Sequence, residues 1–109
     1  MKTILALPLA VMTILAIAPL AHASSSDAWA ALAANVKAKC AAAAKPSLKS
    51  AKVAVDPFGS ERFGLAIVTG PLKAGKGKAS FICVYDKRTK AVEIGSELGS
   101  DIVTVGVPK

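Results

Sequence analysis

The stretch ASFICVYD, residues 79–86, combines the composition of a β-strand with one of the two cysteines of the chain. Its branched and aromatic residues suit a pleated, buried surface. Strand alternation places Phe81, Cys83 and Tyr85 on one face and Ile82 and Val84 on the other. Since both faces are apolar, we expect this segment to be the central strand of a sheet and to be covered on both sides.

The other cysteine lies in a predicted helix from about Asp27 to Ala44. Serines 24–26 and Asp27 offer N-cap side chains and a negative charge for its first turn, and Lys45-Pro46 ends it. The pattern predicts that one apolar stripe of this helix packs into the core. The stripe recurs at spacings of three and four residues and consists of Trp29, Leu32, Val36, Cys40 and Ala43.

The N-terminal residues have the pattern of a cleaved export signal. Lys2 supplies a positive charge, residues 4–20 are apolar, and Ala21-His22-Ala23 is a small-x-small cleavage site. The rival interpretation is a retained membrane anchor, but two prolines interrupt the apolar run and polar serines follow it. We therefore expect residues 1–23 to be removed and the protein to lie in the periplasm, without stable membrane insertion.

Residues 24–109 then form a single small domain. This part keeps every basic residue except Lys2 and all 7 acidic residues, which leaves a formal net charge of +6, but it loses His22, the only histidine. A domain of this size is near the lower limit at which a hydrophobic core alone suffices. We predict a disulfide between Cys40 and Cys83, because each lies on a face inferred to be buried and the compartment is oxidising. Free thiols or pairing between chains are the alternatives.

Further strand patterns surround the central segment. Residues 51–55, 63–69 and 91–94 are predicted strands, and residues 102–107 are a predicted edge strand. The connections between them are too short for parallel crossovers, so neighbouring strands should be antiparallel. We predict an α+β fold in which one N-terminal helix packs on a four- to five-stranded, mainly antiparallel sheet with a single disulfide.

A simple meander of these strands gathers the loops at two opposite ends of the sheet. Connection 45–50, the glycine-rich loop 70–78 and segment 95–101 form what we call the lysine-rich end. Its charged residues are Lys45, Lys49, Lys73, Lys76 and Lys78, partly offset by Glu97 and Asp101. Turns 56–62 and 86–90 form the aromatic–arginine end. It contains Phe58, Arg62 and Arg88, the last two being the only arginines of the chain.

Recognisable catalytic and cofactor motifs are missing from the sequence. The loop 70–77 has P-loop spacing but ends in glycine where Ser or Thr would bind magnesium, and it leads into a strand where the motif needs a helix. Without histidine, and with both cysteines paired, the mature chain lacks the usual acid–base and nucleophilic groups. The carboxylates show no calcium-loop spacing. We therefore predict a protein that is not an enzyme and that holds no cofactor and no metal.

Binding is the function class that remains. Aromatic residues and arginine are enriched at the centres of protein interfaces, whereas lysine is depleted. The predicted partner-binding residues therefore lie at the aromatic–arginine end, and Lys73, Lys76 and Lys78 form a secondary basic patch. The alternative is that Phe58 folds under the sheet and the arginines are merely solvated. The partner-binding set is Phe58, Ser60, Arg62, Lys87 and Arg88.

The plan of an export signal and one basic, disulfide-bearing domain of mostly sheet resembles small periplasmic inhibitors of lysozyme-like peptidoglycan hydrolases. The inhibitory loop of that family reads Ser-Gly-x-x-Tyr. The nearest stretch here is Gly59-Ser60-Glu61-Arg62-Phe63, with the first pair inverted and Phe in place of Tyr. The resemblance implies a protein partner, a lysozyme or lytic transglycosylase, inhibited by loop insertion into its cleft. Such clefts hold paired carboxylates that a cationic loop complements.

A second hypothesis rests on charge alone. A basic envelope protein could associate with an anionic polymer or membrane surface through the lysine-rich end, without catalysis. Nucleic acid is a poor candidate for the partner, because export separates the chain from it.

Overall fold

The computed structural model describes residues 25–107, so the predicted export signal with His22 lies outside the described residues. Helix α1 spans Ser26–Ala44. Ser25 is its N-cap, with a side-chain oxygen that accepts a hydrogen bond of 3.0 Å from the N–H of Ala28. Asp27 places a negative charge in the first turn, where it complements the helix dipole. The helix therefore begins one residue before the predicted start and ends where predicted.

Five strands follow the helix within residues 25–107. They are β1 (Lys52–Val55), β2 (Phe63–Pro71), β3 (Lys78–Asp86), β4 (Val92–Ile94) and β5 (Leu98–Gly99). The order is β1-β2-β3-β4, and β5 also pairs with β3. Every pairing is antiparallel. The predicted fold class, one helix on a mainly antiparallel sheet, is thus confirmed.

Strand β3 is the centre of the sheet, as the sequence predicted. It pairs along its whole length with β2, from Phe63 opposite Asp86 to Pro71 opposite Lys78. Its other edge is shared by β4, which pairs with residues 83–85, and β5, which pairs with residues 79–80. The two short strands therefore act as two pieces of one interrupted edge strand.

The core lies between α1 and one face of the sheet. Val36, Cys40 and Ala44 are the buried residues of the helix. The sheet face opposite them contributes Val53 from β1, Ala66 and Val68 from β2, and Ala79, Phe81, Cys83 and Tyr85 from β3. At Gly64 a side chain would collide with the Cγ2 atom of Val36. Glycine at this position allows the helix to pack directly against β2.

Cys40 and Cys83 form a disulfide, which confirms the predicted pairing. Their Cα atoms are 5.9 Å apart, within the usual range for such bonds. Both residues are fully buried. The bond joins the C-terminal half of α1 to the middle of β3, so it cross-links the two layers of the domain.

Leu48 is a core residue that the sequence analysis did not identify. It lies in the connection after α1, is buried, and forms an isolated antiparallel bridge with Leu72. The N–H of Lys49 donates to the carbonyl of Pro71, and the N–H of Lys73 donates to the carbonyl of Ser47, each at 2.9 Å. These bonds attach the connection after the helix to the loop between β2 and β3. That loop is shorter than predicted, since β2 and β3 leave only residues 72–77 between them.

The expectation that both faces of β3 are covered is wrong. Ile82 is 52% exposed, and Val84 is only half-buried. The single helix covers one face of the sheet, and among the described residues only the segment after β5 lies over part of the other. In that covered part, the hydroxyl of the buried Ser80 donates to Oγ1 of the half-buried Thr69 at 2.9 Å. Both residues lie beside Val103 and Val105 of the covering segment.

The predicted edge strand at residues 102–107 is also wrong. Leu98–Gly99 provides the edge pairing, and a turn at 100–102 follows, with the N–H of Ile102 donating to the carbonyl of Gly99 at 2.9 Å. Residues 103–107 then continue without strand pairing. The alternating apolar pattern of this segment thus reflects half-burial of Val103, Val105 and Val107 rather than a sheet edge.

Removing the disulfide should destabilise the domain strongly. The Cys83→Ser variant loses a cross-link between residues 43 positions apart and leaves a hydroxyl and a lone thiol in the core. We expect its free energy of unfolding, measured by urea denaturation, to fall by about 3 kcal/mol or more.

The double variant Cys40→Ala/Cys83→Ala is the matched control, because it removes the same cross-link without burying a polar group. It should lose less stability than Cys83→Ser. Wild-type stability in Cys83→Ser, or two alkylatable thiols in the unreduced native protein, would contradict the structural role of this bond.

Candidate protein-binding site

The aromatic–arginine end forms where the β1–β2 and β3–β4 turns meet. Strand register brings them together, because Phe63, which follows the first turn, pairs with Asp86, which begins the second. The N–H of Lys87 donates to the carbonyl of Arg62 at 3.1 Å and continues this pairing beyond the strands. The two turns therefore form one continuous surface, as the predicted meander required.

The first turn is organised by Asp56. One carboxylate oxygen accepts hydrogen bonds from the N–H groups of Phe58 and Gly59, both at 3.0 Å. Gly59 has a φ of +70°, in the left-handed region that favours glycine, and a side chain there would collide with the carbonyl oxygen of Phe63. The N–H of Ser60 donates to that same carbonyl at 2.8 Å. This network holds Phe58 at the tip of the turn, where it is 56% exposed.

The second turn is organised in the same way by Asp86. Its carboxylate accepts hydrogen bonds from the N–H groups of Arg88 at 2.8 Å and Thr89 at 3.1 Å. Lys90 closes the turn with a φ of +69° and donates its N–H to the carbonyl of Asp86 at 2.8 Å. An aspartate that accepts two successive backbone N–H groups thus begins each turn, and both turns have a defined shape.

Lys87 connects the second turn to the first. Its ammonium group donates to the carbonyl oxygens of Phe58 at 3.0 Å and Ser60 at 2.7 Å. It also lies 5.4 Å from the centre of the Trp29 ring, within the range of a cation–π interaction. Lys87 was predicted to contact a partner; in the structure its charge is used to hold the Phe58 turn in place.

Trp29 belongs to this surface, and the prediction that it packs in the core is wrong. The residue is half-buried, and its ring meets Phe58 edge to face, with centroids 5.2 Å apart and an interplanar angle of 86°. The physical reason is that Trp29 lies in the first turn of α1, whereas the buried residues of the helix begin at Val36. The polar residues 24–27, just before Trp29 in the sequence, were the available signal that this end of the helix is exposed to solvent.

The remaining predicted residues lie around this aromatic pair. Arg62 is 60% exposed on its side chain; it contacts Asp86 at 3.3 Å and stacks on the Phe63 ring at 5.2 Å. Arg88 is exposed, and together with Glu61, Arg62 and Lys87 it lines a shallow depression. Ser60 uses its hydroxyl within the turn, accepting the N–H of Phe63 at 3.1 Å. Phe58, Arg62 and Arg88 are thus exposed at this end, and Trp29 lies half-buried beside Phe58.

The two aspartates of the turns have lowered pKa values. Backbone hydrogen bonds from Gly59 and Phe58 hold the pKa of Asp56 below its ordinary value, with a smaller contribution from the charge of Lys87. For Asp86 the backbone N–H groups of Thr89 and Arg88 lower the pKa, and the nearby Arg62 adds to this effect. Both carboxylates are therefore charged at neutral pH and serve as hydrogen-bond acceptors within the turns.

The predicted secondary patch lies at the opposite end of the sheet. Lys73, Lys76 and Lys78 are exposed in and beside the β2–β3 loop, with Lys45 and Lys49 exposed on the connection next to it. In the part of the chain that the structure describes, no group of three or more His, Cys, Asp or Glu residues is placed to hold a metal ion. Helix α1, within that same part, is not apolar enough to cross a membrane.

Comparison with protein-family models, with curated proteins and with solved structures finds no match to this chain. The candidate site therefore rests on the geometry and chemistry of its own residues.

Replacing Lys87 should loosen the Phe58 turn. The Lys87→Met variant keeps the apolar stem but loses both hydrogen bonds to the turn carbonyls, so we expect the free energy of unfolding to fall by about 1 kcal/mol. Trp29 is the only tryptophan, and its fluorescence emission should shift to longer wavelength as its neighbours move away. Lys39→Met, on the exposed side of α1, is the control and should change neither quantity. Unchanged emission and stability in Lys87→Met would show that the ammonium does not hold the turn.

The lowered pKa values of Asp56 and Asp86 predict acid sensitivity of this end. A group whose pKa is lowered on folding stabilises the protein above its unfolded pKa, about 3.9 for aspartate, and loses that contribution as the pH falls further. The Asp56→Asn/Asp86→Asn variant can still accept the turn hydrogen bonds but cannot titrate. Its stability should depend less on pH than that of the wild type below about pH 4. Identical pH profiles of unfolding free energy would contradict this assignment.

Proposed function

We propose that this protein binds a protein partner through the aromatic–arginine end, and that the partner is a peptidoglycan-cleaving enzyme of the lysozyme or lytic transglycosylase type, which it inhibits. The observation that carries the proposal is the exposed Phe58 at the tip of a turn that Lys87 and Asp56 hold in one conformation. In this proposal the protein acts in the periplasm and performs no catalysis itself.

The residue types at this end support a protein interface. Tryptophan and arginine are the residues most often found as interface hot spots, and aromatic side chains are enriched at interface centres. Here Trp29 and Phe58 form one aromatic pair, and an open apolar surface extends from it over Pro57, Ala30 and Ala33. Lys87, which faces the Trp29 ring, also lines the shallow depression formed with Arg62 and Arg88. An apolar centre with a charged rim is the usual anatomy of such interfaces.

The order within the two turns also supports binding. A loop that already has its bound shape loses less conformational entropy on binding a partner. In this turn the backbone is fixed by Asp56, by Gly59 and by the ammonium of Lys87, while the ring of Phe58 stays exposed. A loop of this kind can enter a cleft without first having to fold.

The choice of partner rests on charge and on compartment. The predicted mature chain has a net charge of +6, and the clefts of enzymes that cleave glycosidic bonds contain paired carboxylates. Arg62 and Arg88 beside the protruding turn complement such a cleft electrostatically. The disulfide between Cys40 and Cys83 agrees with an oxidising compartment, where such enzymes meet the cell wall.

Phe58→Ala should weaken binding to the partner enzyme by at least about tenfold, the effect expected of an interface hot spot. We would measure affinity by calorimetry and inhibition by the digestion of cell walls, against a panel of lysozymes and lytic transglycosylases. Ile82→Ala is the matched control, because Ile82 is exposed to nearly the same extent but lies on the outer face of the sheet. It should leave affinity unchanged.

If the protein binds an enzyme of the panel without inhibiting it, the proposed interface would be supported and the inhibitory role would be refuted. Absence of binding to every enzyme of the panel at tens of micromolar, which is weak even for transient complexes, would refute the proposed partner class. If Phe58→Ala and Ile82→Ala lower the binding affinity equally, the interface does not lie at the aromatic–arginine end.

A further inference from the structure

The lysine-rich end is a second, separately built surface. The bonds between the backbones of Lys49 and Pro71 and of Lys73 and Ser47 bring the connection after α1 against the β2–β3 loop. Five exposed lysines therefore share this end with one acidic residue, Asp101, in the turn that follows β5. The excess is four positive charges. Glu97 was predicted at this end, but it precedes Leu98, which pairs with Ser80, so it lies along the edge of the sheet. None of these lysines forms a salt bridge among the described residues, where the one ion pair joins Arg62 and Asp86.

An apolar residue is exposed at this same end. Ile102 is 68% exposed, the highest value among the large apolar residues that the structure describes as exposed. Its N–H bonds to Gly99, which pairs with Ala79, the residue after Lys78. The loop beside it projects into solvent, since a side chain at Gly75 or Gly77 would meet nothing within 4 Å. An exposed isoleucine at the same end as a lysine cluster gains apolar burial when that end meets the surface of a membrane.

We propose that the lysine-rich end docks on the surface of a membrane that contains anionic lipid, with Ile102 entering the headgroup region. The lysines supply attraction to the negatively charged surface, and the isoleucine supplies apolar burial. Purely ionic binding to a soluble polymer would use the lysines but would gain nothing from Ile102. The apolar residue is therefore what selects lipid over polymer.

This surface is independent of the aromatic–arginine end. Strands β2 and β3 each have 9 residues and run from one end to the other, so the two surfaces are about 30 Å apart at the usual rise per residue. A domain docked on a membrane through its lysines would direct Phe58 away from the lipid. Both surfaces can thus be occupied at once, and the failure of one proposal leaves the other intact.

Vesicle co-sedimentation tests the proposal. The exported form of the protein would be mixed with vesicles of equal parts phosphatidylglycerol and phosphatidylcholine, and with vesicles of phosphatidylcholine alone, at low and high salt. We expect binding only to the anionic vesicles, weakened by salt. Since each lysine near such a surface contributes a factor of about five, Lys73→Gln/Lys76→Gln should lower the partition coefficient about 25-fold. The matched control Lys37→Gln/Lys39→Gln removes the same charge from exposed positions on α1 and should have a much smaller effect.

Ile102→Ser separates lipid from polymer. It should lower vesicle binding about tenfold, while binding to soluble polyphosphate should stay unchanged. Three results would overturn the proposal. The first is no binding to anionic vesicles, and the second is an equal fall of the partition coefficient in the two double-lysine variants. The third is vesicle binding that Ile102→Ser leaves unchanged. The last result would assign the lysines to general polyanion binding.

Discussion

The disulfide between Cys40 and Cys83 is the constraint on which the rest of this structure depends. It joins the only helix of the described residues to the central strand, and both of its cysteines are fully buried. The core around it contains mostly valine and alanine, with Phe81 and Tyr85 as its large members. Such a thin core in so small a domain gives limited hydrophobic stabilisation. The cross-link therefore keeps the two layers together and maintains the sheet whose ends carry the exposed groups.

Lys87 has a comparable role at one end of the sheet. A lysine on the surface ordinarily contributes solubility and little else, but this ammonium contacts two carbonyl oxygens of the neighbouring turn and faces the ring of Trp29. It thereby connects three segments that are distant in sequence: the start of α1, the Phe58 turn and the Asp86 turn. The pair of Trp29 and Phe58 owes its fixed geometry to this one charge and to the two aspartates that organise the turns.

The antiparallel meander gives the domain two chemically different ends. The loops after β1 and β3 lie at one end of the sheet, and the loop after β2 lies at the other end with the turn after β5. The length of the sheet therefore separates the arginines and aromatic residues from the lysines and Ile102. The outer face between them is only partly covered: Ile82 is exposed, whereas Ser80 lies under the segment that follows β5. The groups on which the two proposals rest thus lie mainly in loops that a cross-linked scaffold positions.

The sequence by itself determined the helix, the central strand, the disulfide and the grouping of loops at two ends. These features follow from local periodicity, from turn residues and from there being only two cysteines to pair. Only the tertiary structure decided that Trp29 packs against Phe58 and not in the core, and that Lys87 bonds to the neighbouring turn. It also decided that the edge of the sheet is formed by Leu98–Gly99 and not by residues 102–107. The physical reason is that an apolar pattern in the sequence indicates only that a residue can be buried. Which residues bury it depends on the distant segments that pack against it in the fold. For Trp29 that segment is a turn about 30 residues away, brought close by strand register that no local pattern encodes.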